Sequence, residues 1–585
     1  MSNQSPLVAS VVPDVSGIDK VFDYLIPTEL ENRATIGARV RIVLNGRRVG
    51  GWITHVSRYE EGDSAAVALD RLKPIMSVSG LGVEPDLISL TKWISEQWWG
   101  SWRSVLSSAS APRMRERIVH SRRTRSQDIG TDSVSVAAFE MFQAGGGLLV
   151  IPPASSSLAV ALRLACFGPV LVICPSQKMA STGAAFLRRK GLSTALLPDE
   201  WDGARGGVDV VIGTRSAVFA PCPDVVAIIV IDEHDELLKE ERSPAWDATA
   251  VASERARLAG IPFICTSAVP SAQSLHVFSG HVSQVQADNG WPRIVVVNLS
   301  DVPVAQSLLS SELLEAVGTS GATTVCVLNT KGKARLIVCK SCRHVQSCPS
   351  CASLLTYDED NNLWCARCQE MHGGVCLACG RSAFTVPRGG VSQLVSQIQA
   401  STRNPVIEIS SDSPDDWSKG TVFIGTEAVL HRIPTADTVV FADIDRDLGA
   451  PRMTGAREVL SMIAKAARMV GAKGTLVIQT RQVENSLIVA LSQSDVSVAL
   501  QNWNEADTAQ RRAMTLPPFG AIARVSVTAP RSMTEISLPA GVNTARDDDA
   551  YLVRAASRTE LDAAVALLRA EFGVAVRIHI DPYRF

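Results

Sequence analysis

Eight cysteines, arranged as four CxxC pairs in some forty residues, constrain this chain more than any other feature: Cys339/Cys342, Cys348/Cys351, Cys365/Cys368 and Cys376/Cys379. Each CxxC turn offers two thiolates to one ion, and two turns complete the tetrahedral four-cysteine site that Zn²⁺ favours. The eight ligands therefore predict two zinc ions. The inner pairs flank a segment with Leu354, Leu355, Tyr357, Leu363 and Trp364 that reads as a ribbon-type hairpin. The nested assignment is preferred: Cys339, Cys342, Cys376 and Cys379 hold one ion, and Cys348, Cys351, Cys365 and Cys368 the other. Sequential pairing stays open. A redox dithiol is the poorer reading, because such a motif occurs once and not four times. Four thiolates leave no open coordination position, so both sites are expected to be structural. Cys166, Cys174, Cys222, Cys265 and Cys326 stand in apolar runs and read as core.

Around this module the chain is long enough, at 585 residues, for about three to five domains. With 46% hydrophobic residues it is a folding sequence, and disorder is excluded for most of its length. Its 57 Lys and Arg against 59 Asp and Glu give a net charge of -2, so a polyanion site must be local. No apolar stretch is long enough for a membrane span and the first residues carry no leader pattern, which predicts a cytoplasmic protein.

Five regions and a linker follow from the patterning. Residues 1–112 alternate like strands, turn at Asn45-Gly46 and end in the Trp-rich ISLTKWISEQWWGSW, which predicts a small β-rich domain with a helix behind it. Residues 113–134 form a linker whose run Arg113, Arg115, Arg117, Arg122, Arg123 and Arg125 could meet phosphate or simply be solvated. Over 135–300, and again over 301–338 and 380–480, short apolar runs such as PVLVICP, VVAIIVIDE and TVVFADI alternate with helical stretches. That alternation predicts two tandem α/β lobes with parallel sheets, the second interrupted by the metal module at 339–379. Residues 481–585 read as an α+β unit. The adjacent Trp98 and Trp99 are expected to pack on the small N-terminal sheet.

At this point motifs across nearly the whole chain resemble the primosomal protein N′ (PriA) family of replication-restart helicases. VFDYLIP with Gly37-Ala-Arg-Val-Arg41 and RLKPI resemble its opening segments. GTRSAVFAP, VIDEHDE, TSAVPSAQSL and VFIGTEAV are similar to its helicase motifs, the eight cysteines match in spacing order, and LPPFGAIARV with IDPYRF resembles its last domain. The resemblance implies two RecA-like superfamily 2 helicase lobes, an N-terminal domain gripping DNA 3′ ends, an inserted two-zinc module and a C-terminal domain. It implies a DNA 3′-end pocket at Phe22, Asp23, the Asn45-Gly46 turn and Lys73. An Asp carboxylate accepts from a terminal 3′-OH and repels an internal phosphodiester; a Phe stacks on a base, and a Lys meets phosphate. It also implies work on branched or forked DNA beside single-strand-binding protein, other primosome proteins and a replicative helicase loader, in a nucleoid-associated cytoplasmic setting with no membrane.

The departures fall on the ATP chemistry. A phosphate loop needs glycines, a Lys and a Ser or Thr, yet here stands Ile151-Pro-Pro-Ala-Ser-Ser-Ser-Leu158, with Ser157 in the lysine's place. The last helicase motif lacks its arginine-finger positions, and Arg468 occupies neither, where such an arginine is worth about 10³ to 10⁵-fold in rate. Asp232 and Glu233 persist as remnants of the Mg²⁺ and water-positioning box. Little room remains between Arg125 and Gly145 for a winged helix. The sequence thus predicts a fork-recognition factor without ATPase activity and without bound ATP. The alternatives are an active ATP-dependent 3′-to-5′ helicase and a zinc scaffold for protein contacts.

Overall fold

The structure, a computed structural model, describes residues 5–59, 68–111, 123–124, 130–286, 290–302, 308–329, 337–350, 353–357, 362–365, 368–385, 390–410, 413, 421–450, 452–527, 536–547, 550–573 and 576–582. It divides into two compact units, one of residues 1–150, 157–285 and 511–583, the other of 151–156, 286–510 and 584–585.

In the first unit an antiparallel five-stranded sheet is ordered Phe22–Leu25, Leu7–Pro13, Arg47–Arg58, Ala38–Leu44, Ser77–Leu81. The alternation ARVRIVL turns Ala38, Val40, Ile42 and Leu44 inward and Arg41 outward, as a period-2 pattern requires. Asn45 (φ +48°) and Gly46 (φ +79°) carry the turn between the two long strands, the two left-handed residues of the tight hairpin that matches strand twist. The sheet also protects its outer edge. The Leu25 N–H donates to the Lys73 carbonyl at 3.0 Å and the Ile75 N–H to the Leu25 carbonyl at 2.9 Å. The chain then runs on into Ser77–Leu81 at the opposite edge. Residues 73–75 thus tie the two edges together, which a free edge strand would otherwise leave open.

The second sheet of this unit is seven-stranded and wholly parallel, with Ala227–Val230 and Val170–Ile173 near its middle. Its central strands are buried at every position, which is why they read as unbroken apolar runs. A four-stranded antiparallel sheet, Asn543–Asp547, Ala550–Ala555, Ala521–Val527 and Val576–Ile580, backed by the helix Arg558–Phe572, completes the unit.

The other unit holds a six-stranded parallel sheet and the cysteine module. Leu354 ties the module to this lobe, with its N–H on the Gly449 carbonyl at 2.8 Å. A Cβ at Gly449 would lie 2.1 Å from Leu354 Cγ. Arg343 adds bonds to the carbonyls of Ser300 and Val302 at 2.6 and 2.8 Å.

Three expectations are corrected. The strand Arg293–Asn298 pairs with Thr475–Thr480, so the second lobe begins before residue 300. The helix Val496–Ala513 buries Val496, Leu500 and Trp503, and Arg457 meets Asp507 at 2.5 Å; most of this helix therefore belongs with the second lobe, and the last domain opens near 511 and not at 481. Trp99 packs against the C-terminal sheet, where its Nε1 donates to Asp562 at 2.8 Å, whereas Trp98 packs both there and on the cluster that includes Val12 and Trp52 of the N-terminal sheet; the ring with a matching acceptor went to the other sheet. Of the predicted core thiols, Cys174, Cys222, Cys265 and Cys326 are buried and Cys166 is half-buried.

Candidate functional site

The module folds around two small antiparallel ribbons. Val338–Cys339 pairs with Phe384–Thr385, and Thr356–Tyr357 with Leu363–Trp364, so the ribbon extends past residue 379. These pairings bring Cys339, Cys342, Cys376 and Cys379 into one group with all four sulfurs within 4.8 Å, and Cys348, Cys365 and Cys368 into another. That is the nested grouping; Cys351 lies outside the described residues. Across the outer group Cys339 and Cys379, and likewise Cys342 and Cys376, approach to 3.6 Å. Zinc–sulfur bonds of about 2.3 Å set tetrahedral sulfurs at about 3.8 Å, so the donor set fits such an ion. Burial opposes ionisation of Cys339, but the N–H groups of Cys342 and Ser341 outweigh it and hold the thiol down at about 6. One thiolate is thus prepared to receive a cation.

The N-terminal strand edge carries the predicted pocket residues. Phe22 is half-buried against the sheet's core. Asp23 is exposed and accepts from Ser10 Oγ at 2.7 Å. Lys73 is exposed, and its carbonyl bonds Leu25, two residues on from Asp23. Tyr24 Oη donates to the Val43 carbonyl at 3.1 Å, two residues before the Asn45-Gly46 turn. The hairpin base, Asp23 and Lys73 are therefore linked through consecutive residues of one closed sheet. Sequence reasoning missed the exposed arginines of this hairpin, Arg41, Arg47 and Arg48. Arg48 stands opposite Val43, which puts it on the same face as Arg41. The signal was available in RVRIVLNGRR, where cations alternate with apolar residues around a turn. From the basic linker, Arg123 is engaged with the Pro223 carbonyl at 2.9 Å and Asp224 at 3.1 Å; Arg113, Arg115, Arg117, Arg122 and Arg125 lie outside the described residues.

The segment 151–158 follows the strand Gly146–Val150 where a phosphate loop would stand. Pro152 and Pro153 have no N–H to give. The Ala154 N–H is spent on the Gly290 carbonyl at 3.1 Å and that of Ser155 on the Pro152 carbonyl at 2.9 Å. A phosphate cradle needs converging free N–H groups and a cation, and neither is present across 152–155. Glu233 is equally committed. Its carboxylate accepts from the Ser271 N–H at 2.8 Å, Ser271 Oγ at 2.7 Å and Ser274 Oγ at 2.6 Å, and burial raises its pKa. Asp232 is buried in the left-handed region (φ +53°). Trp246, close after this box, is buried edge-on against Phe219.

Residues 10–111 match the family model described as PriA 3′DNA-binding domain. Replication restart protein PriA of Treponema pallidum is 27% identical over 54% of this chain and 51% of its own length, and that of Thermotoga maritima 25% over 57% and 48%. The probable replication restart protein PriA of Mycobacterium leprae is 24% identical over 88% of this chain and 86% of its own.

The chain is similar to replication restart proteins PriA, in its N-terminal domain and along most of its length.

It spans about half the length of the first two of these PriA relatives. Among solved structures, the DUF1998 helicase MrfA bound to DNA is similar at 13% identity and a TM-score of 0.36, over 79% of this chain and 69% of that one. The PriA domain match covers the strand edge with Phe22 and Asp23, the arginine hairpin and Lys73. No described helix is long and apolar enough to cross a membrane.

Proposed function

We propose that this protein recognises stalled or branched replication forks by binding a DNA 3′ end and serves replication restart without turning over ATP. The observation that carries the reading is the match of residues 10–111 to a DNA 3′-end domain, on a sheet that presents Asp23, Lys73 and the arginine hairpin outward. In this reading Asp23 accepts from the terminal 3′-OH, Phe22 offers a ring edge to the last base, Gly46 leaves the turn open to backbone approach, and Lys73, Arg41 and Arg48 meet phosphates. The module holds two zinc ions, one on the outer four cysteines and one on the inner set, and gives a rigid platform for partner contacts. Single-strand-binding protein, other primosome proteins and a helicase loader are the partners this role requires. Commitment of the 152–155 amides and of Glu233 supports the absence of turnover.

The test compares a fork ending in a free 3′-OH with the same fork blocked by a 3′-phosphate. The wild type should prefer the free end about tenfold or more, the scale of one charge-assisted hydrogen bond. Asp23→Ala should erase that preference with zinc content unchanged. Equal binding to both ends by the wild type refutes the end-recognition reading.

A further inference from the structure

Inside the cysteine module two buried side-chain polar atoms, Ser353 Oγ and His372 Nε2, have no hydrogen-bond partner among the described residues, and the second stands among metal donors. His372 has a side chain only 7% exposed, and its Nε2 is buried with no hydrogen-bond partner among the described residues. The ring does not reach this position by chance fraying. The His372 N–H bonds the Leu363 carbonyl at 2.8 Å, the Leu363 N–H bonds Gly373 at 2.9 Å, and the Cys365 N–H bonds the Glu370 carbonyl at 3.0 Å. These three bonds fix Glu370 and His372 on the turn that carries Cys365 and Cys368.

The free nitrogen faces other metal donors. Its Nε2, a Glu370 carboxylate oxygen and Cys348 Sγ all lie within 4.8 Å of one another. Glu370 Oε2 is 3.9 Å from His372 Nε2 and 3.7 Å from Cys348 Sγ, and it takes a further bond from Ser350 Oγ at 2.5 Å. Bonds of about 2.0 to 2.3 Å to a common ion place tetrahedral donors about 3.3 to 3.8 Å apart, so the two Glu370 separations need close only slightly and the third, within 4.8 Å, by about 1 Å at most. Thiolate, carboxylate and imidazole together suit a borderline divalent cation such as zinc. Cys365 and Cys368 group with Cys348 but not with His372, so one ion does not serve both sets.

We infer that the module carries an additional divalent-cation position formed by Cys348, Glu370 and His372, with the Cys348 thiolate shared between it and the inner thiol group. Three protein donors leave a fourth position open to water or to a side chain of a partner, unlike the closed four-cysteine sites. The position stands independently of DNA binding.

The experiment counts metal. Full-length protein, reduced and saturated with Zn²⁺ and then freed of excess, should hold three ions per chain by elemental analysis. His372→Ala and Glu370→Gln should each hold two, and Co²⁺-loaded variants should lose only the small part of the thiolate charge-transfer absorption that the shared Cys348 gives the additional ion, keeping that of the cysteine sites. Glu370 is 46% exposed, so its variant retains the fold even if the buried histidine's does not. Two ions in the wild type, three in either variant, or loss of two ions in His372→Ala overturns the inference, the last because the imidazole would then belong to the thiol site itself.

Discussion

Asp447 ends the run Asp443, Asp445, Asp447 that follows the strand Thr438–Phe441. Burial raises its carboxyl first of all, Glu427 and Asp443 push the same way, and the Asn329 amide at 3.1 Å with Arg452 only partly offsets them, leaving it at about 7. An unfolded Asp titrates near 4. Between about pH 4 and 7 the folded protein therefore holds a proton that the unfolded chain has released, and stability falls as pH rises through that window. Asp445, raised to about 6 by burial and Asp443, adds in the same direction. The urea midpoint of the wild type should drop between pH 5 and pH 8 by an amount equivalent to a few kcal/mol. Asp447→Asn should remove on the order of 1 to 4 kcal/mol of that drop. A midpoint that rises over this range would show the carboxyl titrating normally. None of this was legible in sequence, since the shift comes from packing around three carboxylates. The thiols were legible because CxxC spacing is local chemistry. His372 was not, because a single histidine after a CxxC turn has no spacing signature, and only the pairing of 363–365 with 370–373 aims it at Cys348.

The hairpin Ala38–Leu44 and Arg47–Arg58 shows what an element reveals before folding and what it hides. Its alternation and the Asn-Gly turn gave strands, turn and inward face correctly. Tying of the two sheet edges by residues 73–75 was hidden, because those three residues have no periodicity of their own. The hairpin's cations set a measurable quantity. Binding through phosphates releases counterions, so the logarithm of affinity falls with that of salt by about 0.7 to 0.9 for each phosphate neutralised. Arg41→Ala and Arg48→Ala should each weaken fork binding and make the salt slope shallower by about one, while leaving the preference for a free 3′-OH in place. A weakened affinity with an unchanged slope would mean that these arginines support the sheet and do not touch DNA. The helix Val496–Ala513 teaches the converse. The lobe it packs on is decided by bonds of 2.5 to 3.1 Å from Arg457 to Asn504 and Asp507, between residues far apart in sequence.

At the scale of the whole molecule, a net charge of -2 gives no general attraction to nucleic acid, so any binding of forked DNA or of nucleotide must come from built sites. In the reading proposed above, the phosphate-loop position lacks more than its lysine. A lysine alone supplies charge, whereas the cradle is made of backbone N–H groups, and of the four nitrogens at 152–155 two carry no hydrogen and two are bonded within the chain. Restoring the cation should therefore not restore binding. Ser157→Lys is expected to show no more ATP hydrolysis with forked DNA than the wild type, and the wild type no more than a buffer blank; release of inorganic phosphate, measured on zinc-loaded protein, checks both. Fork-stimulated turnover in the wild type would mean that the amides rearrange to receive the nucleotide, and it would return the protein to the ATP-driven class. Turnover appearing only in Ser157→Lys would place the deficiency in one charge, and the committed amides would then be the wrong explanation.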